Sequence, residues 1–474
     1  MSELLDYQVD HLLLLVGSNP VPNAVAGRLL TTTAGTITLI HSKDGFKLAQ
    51  RLKSWFVRAG YSAGKIDFKE VKESDSHSVS TVVHQALNEY EHTVLGENKS
   101  DSNSANEARE VRVGINYTGG TKVMSVHAYR ALENWINEPK RHTLFSRNPI
   151  FSYLDARTLD MCFEPARGRP TTIDVGRKVE ISIDDLLELH NWKLEKSPTR
   201  EAELSQSAAA LLAIHSREAD TEVWTQWLHD SLFRNAKRPD TVRLPFWVFQ
   251  AGKELQGQFE VKQSGFEARW KSNTDLQKLA ISWPNLSALR ETMSNVLGQS
   301  DAEYLNFTAA RGKGCKDEQD FCKWLSGTWL ESAVLSALQN CSQELDLQEC
   351  CMDLQPEMLH NGTGKTGFQF DVAAIRGYQL FAFSCSTESG EDRGGRGRLK
   401  QKLFEAYVRA RQMGGDEACV ALVCCAKQEM ADELENEIRH VFNQKGRIRV
   451  FGRGDLVNLT ENIADWIRKQ SKEG

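Results

Sequence analysis

The sequence predicts an α/β protein built from two separately cored sheet units, and three observations predict it. At 474 residues the chain is about three times the usual domain length, so more than one core is expected. Hydrophobic residues make up 40% and charged residues 26%, with 11 prolines against 33 glycines, the balance of a chain that fills its cores. Strand-sized apolar runs alternate with amphipathic helical patterns, once near the start and again after residue 317.

The first unit opens with HLLLLVG (11–17), a continuous apolar run ended by Gly and the turn SNPVPN, as expected of a strand buried on both faces of a parallel sheet. A helix fits residues 24–30, a strand 36–42, an amphipathic helix 45–59, a strand 65–71 and a helix 77–91. Residues 96–109 are polar and low in complexity and read as a loop. The strand VRVGINYT (111–118) follows, then a helix carrying Met124, Val126, Tyr129, Leu132 and Trp135. Past Pro149 a strand hairpin is expected, and ISIDDLLELHNW (181–192) contains a short capped helix. Residues 195 to about 310 show helical segments and one β-like stretch, LPFWVFQAGKELQGQFEV, without a site signature, and read as connector and insertion. The second α/β pattern has a helix through Phe321, Trp324, Leu325 and Trp329, strands at 347–354, 368–375 and 379–385, and a helix at 398–412. It ends with a strand at 419–425 and a helix at 459–469. The expected division is 1–195, 196–310 and 311–474.

Lys plus Arg is 58 against 64 for Asp plus Glu, a net charge of −6, so no basic field covers the whole molecule and nucleic-acid contact must be local. The first residues lack a basic signal-peptide region, and no apolar run approaches the roughly 18 residues of a membrane span. The ten cysteines form no CxxC pair, which argues against a zinc knuckle or a disulfide framework. A soluble cytoplasmic protein with reduced thiols is the expectation.

In a doubly wound sheet, ligands bind at the carboxyl ends of the strands. Two such ends are unusually polar: Gly17, Ser18, Asn19, Pro20 and Asn23 after the first strand, and Asn116, Tyr117, Thr118, Gly119, Gly120, Thr121 and Lys122 after the later one. The glycine pair lets backbone N–H groups approach an anion, and the following helix N-terminus adds positive potential. Thr118, Thr121 and Lys122 offer hydroxyl and ammonium donors. The blander reading of the glycine pair is a tight β-to-α turn.

VGSNPVPN and NYTGGTKVM resemble the paired motifs of CARF domains, specifically those of the CARF-fused nuclease effectors of type III CRISPR systems. The resemblance covers residues 10 to about 195. It implies a homodimer whose two CARF domains form one pocket for a cyclic oligoadenylate, usually cyclic tetra-adenylate. Carried over by position, Ser18, Asn19, Pro20, Asn23, Asn116, Thr118, Gly119, Gly120, Thr121 and Lys122 would line it.

The second unit places Glu331 on a helix, Asp371 on the first strand of a hairpin turning at Arg376-Gly377, and Ser384-Cys385-Ser386 on the next strand. This order resembles the PD-(D/E)xK nuclease core of the same effectors, in which acidic residues and a Lys hold a divalent ion and activate water. Glu331 and Asp371 occupy carboxylate positions suited to Mg²⁺ or Mn²⁺, but the Glu-x-Lys slot reads Ser384-Cys385-Ser386. A Ser hydroxyl can complete a hard-cation shell, and Lys400 or Lys402 on the next helix could return the missing cation. Singly, Asp371 and Glu331 read as ordinary strand and helix-face carboxylates, and their order around the hairpin is what lifts them.

Residues 362–366, Gly-Thr-Gly-Lys-Thr, have Leu359 where a phosphate loop needs its first glycine and read as a plain loop. Arg393, Arg396, Arg398, Lys400 and Lys402 form a glycine-spaced cationic stretch that could follow a phosphate backbone or lie solvated. The resulting expectation is a metal-dependent nuclease, for DNA or RNA, gated by cyclic oligoadenylate. The alternative keeps the sensor with a catalytically degenerate nuclease-like domain. A ligand-responsive transcription factor would need a basic recognition helix, against which the acidic 181–192 segment argues.

Overall fold

The computed structural model describes residues 2–100, 110–141, 144–164, 169–238, 241–250, 253–262, 268–299, 302–358, 367–392, 394–442 and 446–470. Its first sheet has seven strands: β1 (Val9–Leu15), β2 (Thr31–Ser42), β3 (Ile66–Val71), β4 (Val113–Asn116), β5 (Ile150–Asp155), β6 (Asp160–Glu164) and β7 (Thr171–Asp174). They are ordered β3-β2-β1-β4-β5-β6-β7. Pairing is parallel from β3 through to β5 and antiparallel along β5-β6-β7. This is the doubly wound unit that the alternation predicts, finished by the expected hairpin.

β1 is apolar without alternation because it feeds two cores. Leu12 and Leu14 pack into one cluster and Leu13 and Leu15 into another, all at 0% exposure. Order reverses between β1 and β4, since β2 lies on one side of β1 and β4 on the other. The loops that leave these two strands therefore flank a topological switch point.

The second sheet has five strands: β8 (Glu349–Leu354), β9 (Phe370–Arg376), β10 (Gln379–Ser386), β11 (Cys419–Cys424) and β12 (Ile448–Phe451). β8-β9-β10 is an antiparallel meander, and β11 and β12 add in parallel. The helix Gly395–Gly414 supplies the crossover from β10 to β11. Here too the central strands serve two faces: Ala373 and Ile375 join the core that contains Leu12, while Val372 and Ala374 join a third core beneath the helix Trp329–Leu345. Side chains of both sheets thus share one apolar cluster.

The segment 196–310 is part of that third core. Helices Ser205–His215 and Glu218–Trp227 contribute Leu211, Ile214, Trp224 and Trp227 to it beside Trp324, Trp329 and Leu330. The β-like stretch is an antiparallel hairpin, Thr241–Gln250 with Lys253–Lys262. One boundary differs from expectation: the helix after β3 runs Ser76–Ser100, continuing past Gly96 into the stretch expected as loop, whose remainder lies outside the described residues. Val94, two residues before Gly96, is buried on that helix.

Candidate functional site

The loops after β1 and β4 touch through bare backbone. A Cβ on Gly17 would stand 2.8 Å from the Gly120 nitrogen, and one on Gly119 would stand 2.0 Å from the Leu15 carbonyl oxygen. Gly120 has φ +75°, a conformation that side chains disfavour. The glycines are thus required by loop-against-loop packing as well as by any close approach of an anion.

Most polar side chains of the pair are engaged by the protein. Asn116 is fully buried and donates to Ser152 Oγ at 3.1 Å, and its Oδ1 accepts from the Thr118 N–H at 3.3 Å. Asn23 is fully buried and donates to the Leu15 carbonyl at 2.9 Å. Pro20 is buried at the start of the helix Val21–Leu30. Thr118 Oγ1 accepts from the Leu154 N–H at 2.7 Å. Thr121 caps the helix Lys122–Ile136 by accepting from the Met124 N–H at 3.2 Å, and donates to the Glu73 carbonyl at 3.1 Å. Asn23, Asn116 and Pro20 sit beneath the loops, where their burial and bonds fix the loop shape. Solvent meets Ser18, the peptide units of Gly119 and Gly120, Thr121 and Lys122, with Lys122 exposed in the first turn of its helix. A helix N-terminus, a glycine pair and an unneutralised ammonium make this an anion-receptive surface.

Asn19 links the two units. Its Oδ1 accepts from the Val21 N–H at 3.1 Å, and its Nδ2 donates to Glu417 Oε2 at 2.9 Å. Glu417 is fully buried, and burial raises its carboxyl above the ordinary range. Arg447 bonds the Glu417 carbonyl and reaches across to the carbonyls of Ala156 and Arg157 in the β5-β6 turn.

The second site sits on the meander. Asp371 of β9 accepts from Ser384 Oγ at 3.1 Å and from the Cys385 N–H at 2.6 Å. Glu331 descends from the helix Trp329–Leu345, just after a π-helical stretch at Trp324–Thr328, an irregularity that recurs at functional sites. Burial, then the Asp371 charge, then Asp353 hold the Glu331 carboxyl well above its usual range. Burial likewise raises Asp371, against the Cys385 N–H bond and the nearby Lys402 ammonium. Lys402 Nζ donates to the Cys385 carbonyl at 3.0 Å, so the next helix does return a cation to the strand that lacks the motif lysine.

Lys400 does not share that role, because its ammonium pairs with Glu437. Ser386 is buried, and its Oγ accepts from the Glu388 N–H at 3.4 Å, away from Asp371. Arg396 pairs with Glu437 at 3.1 Å, and Arg398 with Glu388 at 3.0 Å and Asp392 at 2.6 Å, so local carboxylates neutralise the cationic stretch. Arg393 and residues 362–366 lie outside the described residues.

Glu331 opens on a cleft of about 470 Å³ whose walls include Asp353, Glu203, Asp320, Lys196, Lys316 and Lys323. Asp353 and Glu203 were not among the residues singled out from the sequence. Glu203, Cys315 and Asp320 bring their ligating atoms within 4.8 Å of one another, and burial pushes the Glu203 carboxyl up to about 7. The donor set at Glu331, Asp371 and Ser384 is all oxygen and holds carboxyls that repel one another, which fits a hard divalent cation. The neighbouring Cys385 thiol, driven far above its usual range by burial, stays protonated and does not compete as a thiolate.

No protein-family model matches the chain, and no curated protein matches it in sequence. Solved structures do. The protein VC1899 from Vibrio cholerae superposes with a TM-score of 0.62 at 15% identity, covering 97% of this chain and 98% of that one. Can2 from Sulfobacillus thermosulfidooxidans, solved in complex with cyclic tetra-adenylate, gives 0.60 at 12% identity, covering 98% of each chain. From end to end, the chain is folded like Can2 and VC1899, two α/β units in one chain as the sequence pattern predicts.

Proposed function

We propose that the protein is a nuclease switched on by a cyclic oligoadenylate, cyclic tetra-adenylate being the first choice, acting as a homodimer in which two copies of the β1-β4 crevice enclose one ring. The observation that carries this reading is the pairing, in one chain, of a glycine-lined anion-receptive switch point with two neighbouring carboxyls raised by burial, Glu331 on the cleft wall and Asp371 beside it. Support for the activator comes from the whole-length likeness to Can2, whose structure contains cyclic tetra-adenylate.

Glu331 and Asp371 would hold Mg²⁺ or Mn²⁺, with the Ser384 hydroxyl beside them. When bound, such a cation neutralises charge at a scissile phosphate and acidifies an attacking water. Ser384 and the Cys385 N–H fix one Asp371 oxygen in place. Lys402 adds positive charge where negative charge develops on the phosphate oxygens. The lysines on the cleft wall, Lys196, Lys316 and Lys323, suit an incoming phosphodiester backbone of DNA or RNA.

The decisive experiment incubates plasmid DNA and single-stranded RNA with the protein. Cutting is expected only when cyclic tetra-adenylate and Mg²⁺ or Mn²⁺ are both present, and Asp371→Ala should abolish it without unfolding the protein. The Ser384-Cys385-Ser386 sequence favours a second reading, a nuclease fold kept for binding. Absence of cutting in the wild type under every combination would select it.

A further inference from the structure

We infer that Asp353 is a third carboxylate ligand of the metal centre, standing in for the acidic residue that the Ser384-Cys385-Ser386 strand lacks. The inference rests on the reading of this cleft as a metal site. Strand register carries it: Met352 pairs with Val372 and Leu354 with Phe370, which sets Asp353 of β8 directly opposite Asp371 of β9. Val372 pairs with Phe383, which sets Ser384 of β10 opposite Asp371 on its other side. Three adjacent strands thus align Asp353, Asp371 and Ser384 in one row beneath Glu331. The missing acid has moved two strands across the row, while its former place holds a hydroxyl.

Two carboxylates directly opposite on neighbouring strands destabilise a sheet, and a cation between them reverses the sign of that interaction. Asp353 also has φ +58°, a left-handed conformation uncommon outside glycine, which interrupts the ladder at this residue alone. Its side chain stays on the cleft wall, accepting from Gln355 Nε2 at 2.7 Å and pairing with Lys196. Glu331, the carboxylate above the row, has no hydrogen-bond or ion-pair partner among the described residues. A plain surface ion pair with Lys196 would explain Asp353 but not its place opposite Asp371.

The test titrates Mn²⁺ into the full-length protein by calorimetry and follows Mn²⁺-dependent melting, with no nucleic acid present. Asp353→Asn should weaken Mn²⁺ binding at least ~10-fold, as loss of one charged ligand does, and Asp371→Asn should do the same. Asp353→Ser carries the same expectation should the Asn variant not fold. Unchanged Mn²⁺ affinity in a folded Asp353 variant, with affinity lost in Asp371→Asn, would overturn the role of Asp353 and leave the metal centre standing. A wild type that binds no Mn²⁺ would overturn both.

Discussion

The crevice at the end of β1 and β4 and the cleft on the β8-β9-β10 meander solve the problem of receiving phosphate in opposite ways. In the crevice the side chains that sequence reading offers to a ligand are consumed internally: Asn116, Asn23, Thr118 and Thr121 all bond their own fold. What remains for a ligand is backbone, held in shape by glycines, plus the exposed Ser18 hydroxyl and the Lys122 ammonium. In the cleft the reverse holds, since Glu331 has no hydrogen-bond or ion-pair partner among the described residues and Asp371 shares its surroundings with another acid. One region is preorganised by contact, the other is left electrostatically incomplete. Substitutions should therefore act through shape in the first and through charge in the second.

The largest contrast is expected within the cleft. Lys400 and Lys402 lie two positions apart on one helix, about 200° around it, so they face different neighbours. Lys402 meets the Cys385 carbonyl and Lys400 meets Glu437. Lys402→Ala should lower the cleavage rate by roughly 10²–10³, the usual cost of losing a transition-state charge partner. Lys400→Ala should remain within about threefold. Equal losses in single-turnover assays at saturating ligand would erase the distinction between the two lysines.

A second contrast uses pH, through two histidines that burial keeps neutral, one on β1 and one at the end of the helix Ser205–His215. His11 on β1 bonds Thr38 Oγ1 through Nε2 at 2.9 Å and leaves Nδ1 without a partner. His215 stacks on Trp329 with ring centroids 4.8 Å apart, and neither of its ring nitrogens has a hydrogen-bond partner. Burial lowers His11 to about 3 and His215 to about 4, against 6.5 for a free imidazole. The unfolded chain therefore binds more protons below pH 6.5, so stability is full above that value and falls as pH drops toward 4. At pH 5 each histidine should cost about 2 kcal/mol, and replacing either by Gln should flatten its share of the acid limb in urea unfolding. An acid limb unchanged in both variants would show that other groups set it.

How far the sequence revealed each region follows the same division. The strands were legible because β1 and β11 are buried on both faces and so show the continuous apolar stretches Leu12–Leu15 and Cys419–Cys424. Glu331 and Asp371 were legible from their order around a hairpin. Asp353 was not, because its relation to Asp371 exists only in the β8-β9 register, and register is invisible until the strands are paired. Glu203 was hidden for a different reason: it comes from a segment without any motif, held at the cleft beside Leu204, which is buried in the third core. In the crevice the ambiguity runs the other way. Asn, Thr and Gly after a strand signal both a ligand loop and a well-made turn, and the hydrogen bonds of Asn116 and Thr118 belong to the turn.

A smaller pair of effects separates shape from charge in the crevice. Gly119→Ala forces a methyl group against the Leu15 carbonyl and should cost about 1–3 kcal/mol of stability together with ligand binding. Lys122→Ala should leave melting unchanged and weaken cyclic tetra-adenylate about tenfold, the value of one charge-assisted bond. If Gly119→Ala binds normally, the loops are softer than their contact implies.

The smallest expected effect lies where the two regions meet. Asn19 is the one residue of the first loop that reaches the second unit with its side chain, and Glu417 receives it in a fully buried position with Oε1 unpartnered. Gly415, at φ +64°, leaves no room for a Cβ, which would fall 2.0 Å from Asn19 Nδ2, so the loop is pressed against this contact. Asn19→Ala removes a donor from a carboxyl that burial has already raised, and should cost about 1 kcal/mol, a fall in melting temperature of about 2 °C. Asn19→Asp removes the same donor and sets a second carboxyl against the first, so it should cost more than alanine at pH 8 and approach the alanine value as pH falls and one of the two acids is protonated. A melting temperature indifferent to pH in the Asp variant would mean that Glu417 turns away from the loop once Asn19 is gone, and that the two regions communicate through their shared apolar core instead.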